Sequence, residues 1–187
     1  MSDLRFAVIT GSTRPGRVGP QVSEWVLEQA KDRDATYELI VPAEEDLPMY
    51  DEAIPASAGK YEHEHTKDWA KKIGSYDGFI FVTPEYNHAP PASLKNAMDY
   101  LYGEWNNKAC ALVGYGSMGG ARSVEMLRVI AGELQMADVR QQLGFSLFTD
   151  FENFSKFNPG PQHAKSAQTM FDQLEAWAGA LKPLRDK

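Results

Sequence analysis

Two arginines and three glycines fall within the nine residues Gly11-Ser12-Thr13-Arg14-Pro15-Gly16-Arg17-Val18-Gly19. The segment follows a short apolar run and precedes a helical pattern. Free backbone N–H groups and the positive end of a helix therefore converge on one point. Hydroxyls at Ser12 and Thr13 add donors, and the guanidinium groups of Arg14 and Arg17 add charge suited to a phosphate. Read alone, the same residues also make an ordinary helix cap with two solvated arginines. The loop lacks the Gly-Lys-Ser/Thr ending of a nucleoside-triphosphate loop, which argues against ATP or GTP.

A second segment, Thr83-Pro84-Glu85-Tyr86-Asn87-His88-Ala89-Pro90-Pro91, is stiffened by its prolines, which hold backbone N–H and C=O groups in fixed directions. Such a backbone can hydrogen-bond the edge of a planar heterocycle, with Tyr86 as an apolar wall. The plainer reading is a proline-rich turn before a helix. A third segment, Gly114-Tyr115-Gly116-Ser117-Met118-Gly119-Gly120-Ala121-Arg122, is built of small residues that let a flat ligand approach the main chain. It spells G-x-G-x-x-G, the dinucleotide fingerprint, but after a fourth strand instead of a first. Its candidates for the ribose acid, Glu133 and Asp138, fall short of the next strand's end, so this match is weak.

The elements that must position these loops follow from hydrophobic period. Residues 4–10 form a short apolar run, and Val22, Trp25, Val26 and Ala30 recur at helical spacing. Residues 37–41 read as a second strand, followed by a loop holding Pro42, Pro48 and Pro55 and then a helix over residues 60–74. Residues 78–83 are apolar throughout, as in a strand covered on both faces. Leu94, Ala97, Met98 and Leu101 mark an amphipathic helix, residues 109–115 a fourth strand, and Val124, Leu127, Ala131 and Leu134 another helix. Residues 139–148 are less regular but can supply a fifth strand, and Ala167, Met170, Phe171, Leu174, Ala178 and Leu181 mark a final helix. This alternation predicts an α/β fold, a three-layer doubly wound five-stranded parallel sheet of order 2-1-3-4-5 in one domain over residues 1–187. In such a sheet the loops after strands one, three and four meet beyond the strands' carboxyl ends, where ligands bind.

Composition narrows the classes. A formal charge of -7 and a pI near 5.1 argue against nucleic acid as the main partner. The longest apolar runs, such as residues 79–82 and 109–113, are far too short to span a bilayer. Met1-Ser2-Asp3-Leu4-Arg5 leads straight into a strand-like run with no charged-then-apolar leader, which predicts a cytoplasmic protein. Cys110, the one cysteine, sits within an apolar run and reads as a core residue.

Taken in order and spacing, these motifs resemble the NADPH-dependent FMN reductase family, flavodoxin-like proteins that include quinone, azo-dye and chromate reductases. The resemblance rests on Gly11-Ser12-Thr13-Arg14, Pro84-Glu85-Tyr86-Asn87, Leu94-Lys95-Asn96-Ala97, the glycines from Gly116 to Gly120, and Asp46-Leu47-Pro48-Met49-Tyr50-Asp51. It covers roughly the first three quarters of the chain. It implies that Ser12, Arg14 and Arg17 bind the FMN phosphate, with Gly19 at the helix entry. Pro84, Glu85, Tyr86 and Asn87 would contact the isoalloxazine mainly through backbone, and Gly116, Ser117 and Gly119 would face its pyrimidine edge. The family usually has a glycine shortly before Leu-Lys-Asn, where this chain has Pro91-Ala92-Ser93. The resemblance further implies hydride transfer from NADPH or NADH, a ping-pong route to a small acceptor, no dedicated catalytic side chain, and assembly as a homodimer or homotetramer.

Other residues carry less. His63 and His65, flanked by Glu62 and Glu64, read as a solvated helix face because residues two apart do not share a side. His88 either touches an acceptor or caps its turn. Phe145, Phe148, Phe151, Phe154 and Phe157 read first as core, then as a subunit contact or substrate wall. Trp105 is either structural or part of an interface. Rival functions are an FMN electron carrier that does not oxidise NAD(P)H, a dinucleotide-binding module using the Gly114 loop, and an interaction protein in which FMN only stabilises the fold.

Overall fold

The computed structural model describes residues 4–185; Met1, Ser2 and Asp3, which the sequence reads as leading into the first strand, lie outside them. Strand β1 (Arg5–Thr10) lies between β2 (Thr36–Ile40) and β3 (Gly78–Thr83), and β4 (Ala109–Gly116) follows β3. Beyond β4 lie β5 (Ala137–Asp138) and β6 (Leu143–Ser146), both parallel to it. The order is therefore 2-1-3-4-5, as the alternation of strands and helices predicts. Five helices cover the sheet: α1 (Gly19–Ala30), α2 (Glu64–Gly74), α3 (Ala92–Asp99), α4 (Ala121–Glu133) and α5 (Gln162–Leu181).

Alternate residues of each strand feed opposite faces. Phe6, Val8, Ile80 and Val113 join Val22 and Val26 of α1 and Met170, Phe171 and Leu174 of α5 in one core. Ala7, Ile9, Phe79, Phe81 and Leu112 join Trp69 and Ile73 of α2, Leu94 and Met98 of α3, and Leu127 of α4 in the other. Cys110 is fully buried in the second core, and burial pushes its thiol pKa up, as suits an inert packing residue. Trp105 is structural: its ring packs edge-on to Phe79 at 4.7 Å, and its Nε1 donates to the Met98 carbonyl at 3.0 Å.

Four expectations change. The fifth strand is broken into β5 and β6, because residues 139–142 turn out of the sheet around Arg128. That guanidinium pairs with Asp138 and donates to the Val139 carbonyl at 3.1 Å and to Gln142 at 2.7 Å. Helix α2 starts at Glu64, later than residue 60, because Glu52 accepts the backbone N–H groups of Glu62 and His63 at 2.9 and 3.1 Å and holds them ahead of the helix. With His63 extended, the His63 and His65 rings do share a side and stack at 5.1 Å, while His65 Nε2 lies 3.0 Å from Asp51. The phenylalanine run becomes a two-stranded antiparallel hairpin, β7 (Phe151–Glu152) and β8 (Lys156–Phe157). Phe145 and Phe151 are buried as core, whereas Phe148 and Phe154 are exposed. Among the described residues, no helix is long and apolar enough to cross a membrane.

Lys108 is a buried amine whose Nζ donates to the Ile73 and Gly74 carbonyls at 2.9 and 3.3 Å, capping α2. Burial, with Arg185 nearby, lowers its pKa to about 7 from 10.5. Between those values the unfolded chain keeps a proton that the folded chain releases, so stability rises with pH. Denaturation midpoints at pH 7 and pH 9 should show wild type gaining roughly 1–2 kcal/mol relative to Lys108→Met. Parallel profiles for the two proteins would mean that Lys108 stays charged in the fold.

Candidate functional site

The loop after β1 is pinned before it reaches solvent. The Gly11 N–H donates to the Val82 carbonyl of β3 at 2.8 Å, and the Ser93 hydroxyl of α3 donates to the Gly11 carbonyl at 2.8 Å. Ser93, in the Pro91-Ala92-Ser93 segment, thereby supplies a tie between α3 and the loop. Ser12 is buried, with its hydroxyl 2.7 Å from the Tyr86 hydroxyl; it also accepts the Arg14 N–H at 3.3 Å. Helix α1 then opens with Gly19 and Pro20 and has no acidic residue in its first turn, which leaves its positive end uncompensated. A side chain at Gly19 would put Cβ 2.7 Å from the Tyr115 hydroxyl, so glycine is needed where the phenol sits.

The loop after β3 turns sharply. Tyr86 and Ala89 exchange backbone hydrogen bonds of 2.9 and 3.1 Å, with Asn87 and His88 in the left-handed region at φ 51° and 69°. Glu85 is held from the side by Arg122, which donates its N–H to the carboxylate at 3.0 Å and pairs with it through the guanidinium. Burial works against ionisation of Glu85, but the bonds from Arg122 outweigh it and hold the carboxyl below its usual range. The same guanidinium lies 2.7 Å from His88 Nε2; because arginine only donates, that nitrogen accepts. His88 is thus a brace for its own turn.

The third loop closes the site. Its glycines Gly116, Gly119 and Gly120 have φ of 147°, 63° and 69°, a backbone path that other residues rarely follow. Together the loops enclose a cleft of about 230 Å³. Arg14, Arg17, Pro84, Glu85, Tyr86, Gly116 and Ser117 line it, as the motif reading groups them. Ser12 reaches it through Tyr86, and Asn87 shapes the turn. Gly119 lies apart, where an added Cβ would meet the Gly144 backbone at 3.5 Å, so its part is in the loop's path. A larger open hollow of about 690 Å³ lies beyond Thr13, between α3 and the loop after β2. That loop is fixed by Asn96, whose side chain donates to the Pro48 carbonyl at 2.7 Å and accepts the Tyr50 N–H at 2.8 Å.

The sequence motifs give Tyr115 and Leu147 no place in the cleft wall, and give Phe154 one only as the reading behind core packing, yet all three line it. Tyr115 ends an apolar strand and passes for core, yet its hydroxyl is buried with no hydrogen-bond partner. Arg17 Nε is likewise buried and unpartnered. Burial pushes the Tyr115 phenol pKa up, so it stays a neutral O–H donor. Two unpaired donors beside an uncompensated helix end can receive an anion.

The family model described as NADPH-dependent FMN reductase matches residues 4–150. The chain belongs to that family. An NAD(P)H-dependent FMN reductase of Nectria sp is 38% identical, with 95% of this chain and 89% of that protein covered. A quinone reductase of Pseudomonas putida is 35% identical over 61% of this chain and 62% of its own length. The solved flavoenzyme NAD(P)H:(acceptor) oxidoreductase of Paracoccus denitrificans superposes with a TM-score of 0.70 at 20% identity, covering 96% of this chain and 98% of that one. This member of the FMN reductase family is therefore an oxidoreductase by descent and flavodoxin-like by fold.

Proposed function

We propose that this chain, as one domain over residues 1–187, is an FMN-dependent NAD(P)H oxidoreductase that passes electrons by a ping-pong route to a small acceptor. The acceptor is a quinone, a free flavin, an azo compound or a metal oxyanion, and the quinone reductase among the relatives supports the first. The observation that carries the reading is the pair of buried, unpartnered donors, Arg17 Nε and Tyr115 hydroxyl, in a cleft that also holds Arg14. They fit the phosphate of FMN, with Ser12 beside them and Gly19 opening the helix behind them. The backbone of Pro84, Glu85, Tyr86 and Asn87 fits the edge of a flat ring, while Gly116, Ser117 and the turn shaped by Gly119 leave room for its other edge.

FMN, when bound, supplies a ring that takes hydride from NADPH or NADH and returns electrons to the acceptor. The protein's own groups hold, orient and expose it, and no catalytic side chain is assigned. Assembly as a homodimer or homotetramer and a cytoplasmic location belong to the same proposal; Met126 and Val129, exposed three residues apart on α4, offer an apolar patch for a second copy.

Fluorescence titration of FMN into the apoprotein tests the reading, with saturation at one FMN per chain expected and no saturable binding contradicting it. Tyr115→Phe sharpens the test. Removing an unpartnered hydroxyl should leave the apoprotein's Tm unchanged or slightly higher, while FMN binds roughly three- to tenfold more weakly. Equal FMN affinity in both proteins would remove Tyr115 from the phosphate site.

A further inference from the structure

The hairpin after residue 150 lies beyond the stretch that the family model matches, yet its tip reaches the cleft. Ser155 N–H donates to the Glu152 carbonyl at 3.1 Å, and the two residues between, Asn153 and Phe154, have φ of 50° and 56°. Two left-handed central residues make a type I′ turn, for which Asn followed by Gly is the preferred pair. Asn153 suits its place. Phe154 occupies the glycine position, where a bulky residue is an outlier, and outliers of this kind cluster at ligand clamps.

The ring is not there to fill a core. Phe154 is 60% exposed and meets Phe148, itself 69% exposed, edge-on at 5.8 Å. The base of the hairpin, by contrast, is firmly held. Phe157 packs on Phe145 at 4.8 Å, and buried Asp150 accepts the Ser146 N–H at 2.9 Å and faces His163 at 2.9 Å. Gln21, in the first turn of α1, donates to the Ser155 carbonyl and accepts the Phe157 N–H, both at 2.9 Å. The hairpin is thereby tied to the helix entry that follows Arg14 and Arg17, and Phe154 shares the cleft wall with both arginines and Tyr115.

We propose that Phe154, braced by Phe148, is a cofactor-retention residue whose ring covers the phosphate end of the cleft and keeps water from the anion held by Arg14 and Arg17. The proposal rests on the FMN reading above. Excluding water lowers the local dielectric and strengthens each charge-assisted bond beneath the ring, so its effect falls mainly on the rate at which FMN leaves.

Phe154→Gly tests this without endangering the fold, since it installs the residue that the turn prefers. FMN release is followed by the fluorescence of free FMN after dilution, and Tm of the apoprotein is measured alongside. The expected result is FMN dissociation faster by roughly tenfold or more, and a steeper loss of affinity with salt, with apoprotein Tm unchanged or higher. Phe154→Leu, which keeps an apolar cover, should fall between the two. A Phe154→Gly protein that releases FMN as slowly as wild type overturns the proposal and leaves the FMN reading intact. An apoprotein Tm that drops together with affinity also overturns it, because the ring would then be structural. Wild type that binds no FMN overturns both.

Discussion

Arg17→Ala lowers FMN affinity by roughly tenfold to a hundredfold and leaves the apoprotein as stable as wild type, the range for losing one hydrogen bond to a charged group. The asymmetry follows from the apoprotein's own bonds. Arg17 Nε is buried and makes no internal hydrogen bond, so removing it deprives no partner within the fold. Arg14 differs: its guanidinium donates to the Pro15 and Gly16 carbonyls at 3.2 and 3.5 Å and is otherwise exposed. Exposed charge is screened and weakly ordered, so Arg14→Ala should cost only about threefold in affinity. Titration of both variants at one ionic strength checks the ranking. A larger effect at Arg14 than at Arg17 would place the phosphate nearer the mouth of the loop than this account does.

Gly120→Ala is expected to damage the fold. An added Cβ would lie 2.7 Å from the Tyr115 nitrogen and 2.8 Å from Gly114 Cα, both backbone atoms that cannot swing aside. Gly120 also has φ 69°, where an L-residue carries about 1–2 kcal/mol of strain. With overpacking of similar size added, the loss is about 3 kcal/mol, or a fall of roughly 10 °C in Tm for a chain of this length. Gly132→Ala provides the contrast: Gly132 sits within α4 with open space where a Cβ would go, so alanine there raises stability by about 0.5–1 kcal/mol. Thermal melts of the two proteins should move in opposite directions. Equal and small shifts would mean that the glycine loop is free to relax, and its tight path would then not be what shapes the cleft.

The sheet was legible in the sequence because its strands are covered on both faces. Residues 78–83 and 109–115 are apolar throughout, and each is followed by a loop of conspicuous chemistry. Order and crossover rules then bring those loops to one rim without any further information. The last quarter was harder to read for reasons of scale. Strands β7 and β8 have two residues each, too few for a period, and the phenylalanine spacing of three comes from turns instead of a helix. Phe145 and Phe151 face inward while Phe148 and Phe154 sit on bends, a division that no single periodicity describes. Tyr115 was hidden differently. It completes an apolar strand, and only the geometry reveals that its hydroxyl is buried near Ser12 and Arg17 without a hydrogen bond of good geometry. A phenol at the carboxyl end of a buried strand, next to a glycine turn, is the one sequence signal that marks it.

The central claim is most directly tested by the visible spectrum of the protein after incubation with FMN and desalting, recorded again after anaerobic addition of NADPH and then of a quinone. The expected result is retained flavin colour that bleaches with NADPH and returns on adding one equivalent of quinone. Retained colour that neither NADPH nor NADH bleaches would contradict it in favour of an electron carrier, and a protein that retains no flavin would contradict the cofactor assignment itself.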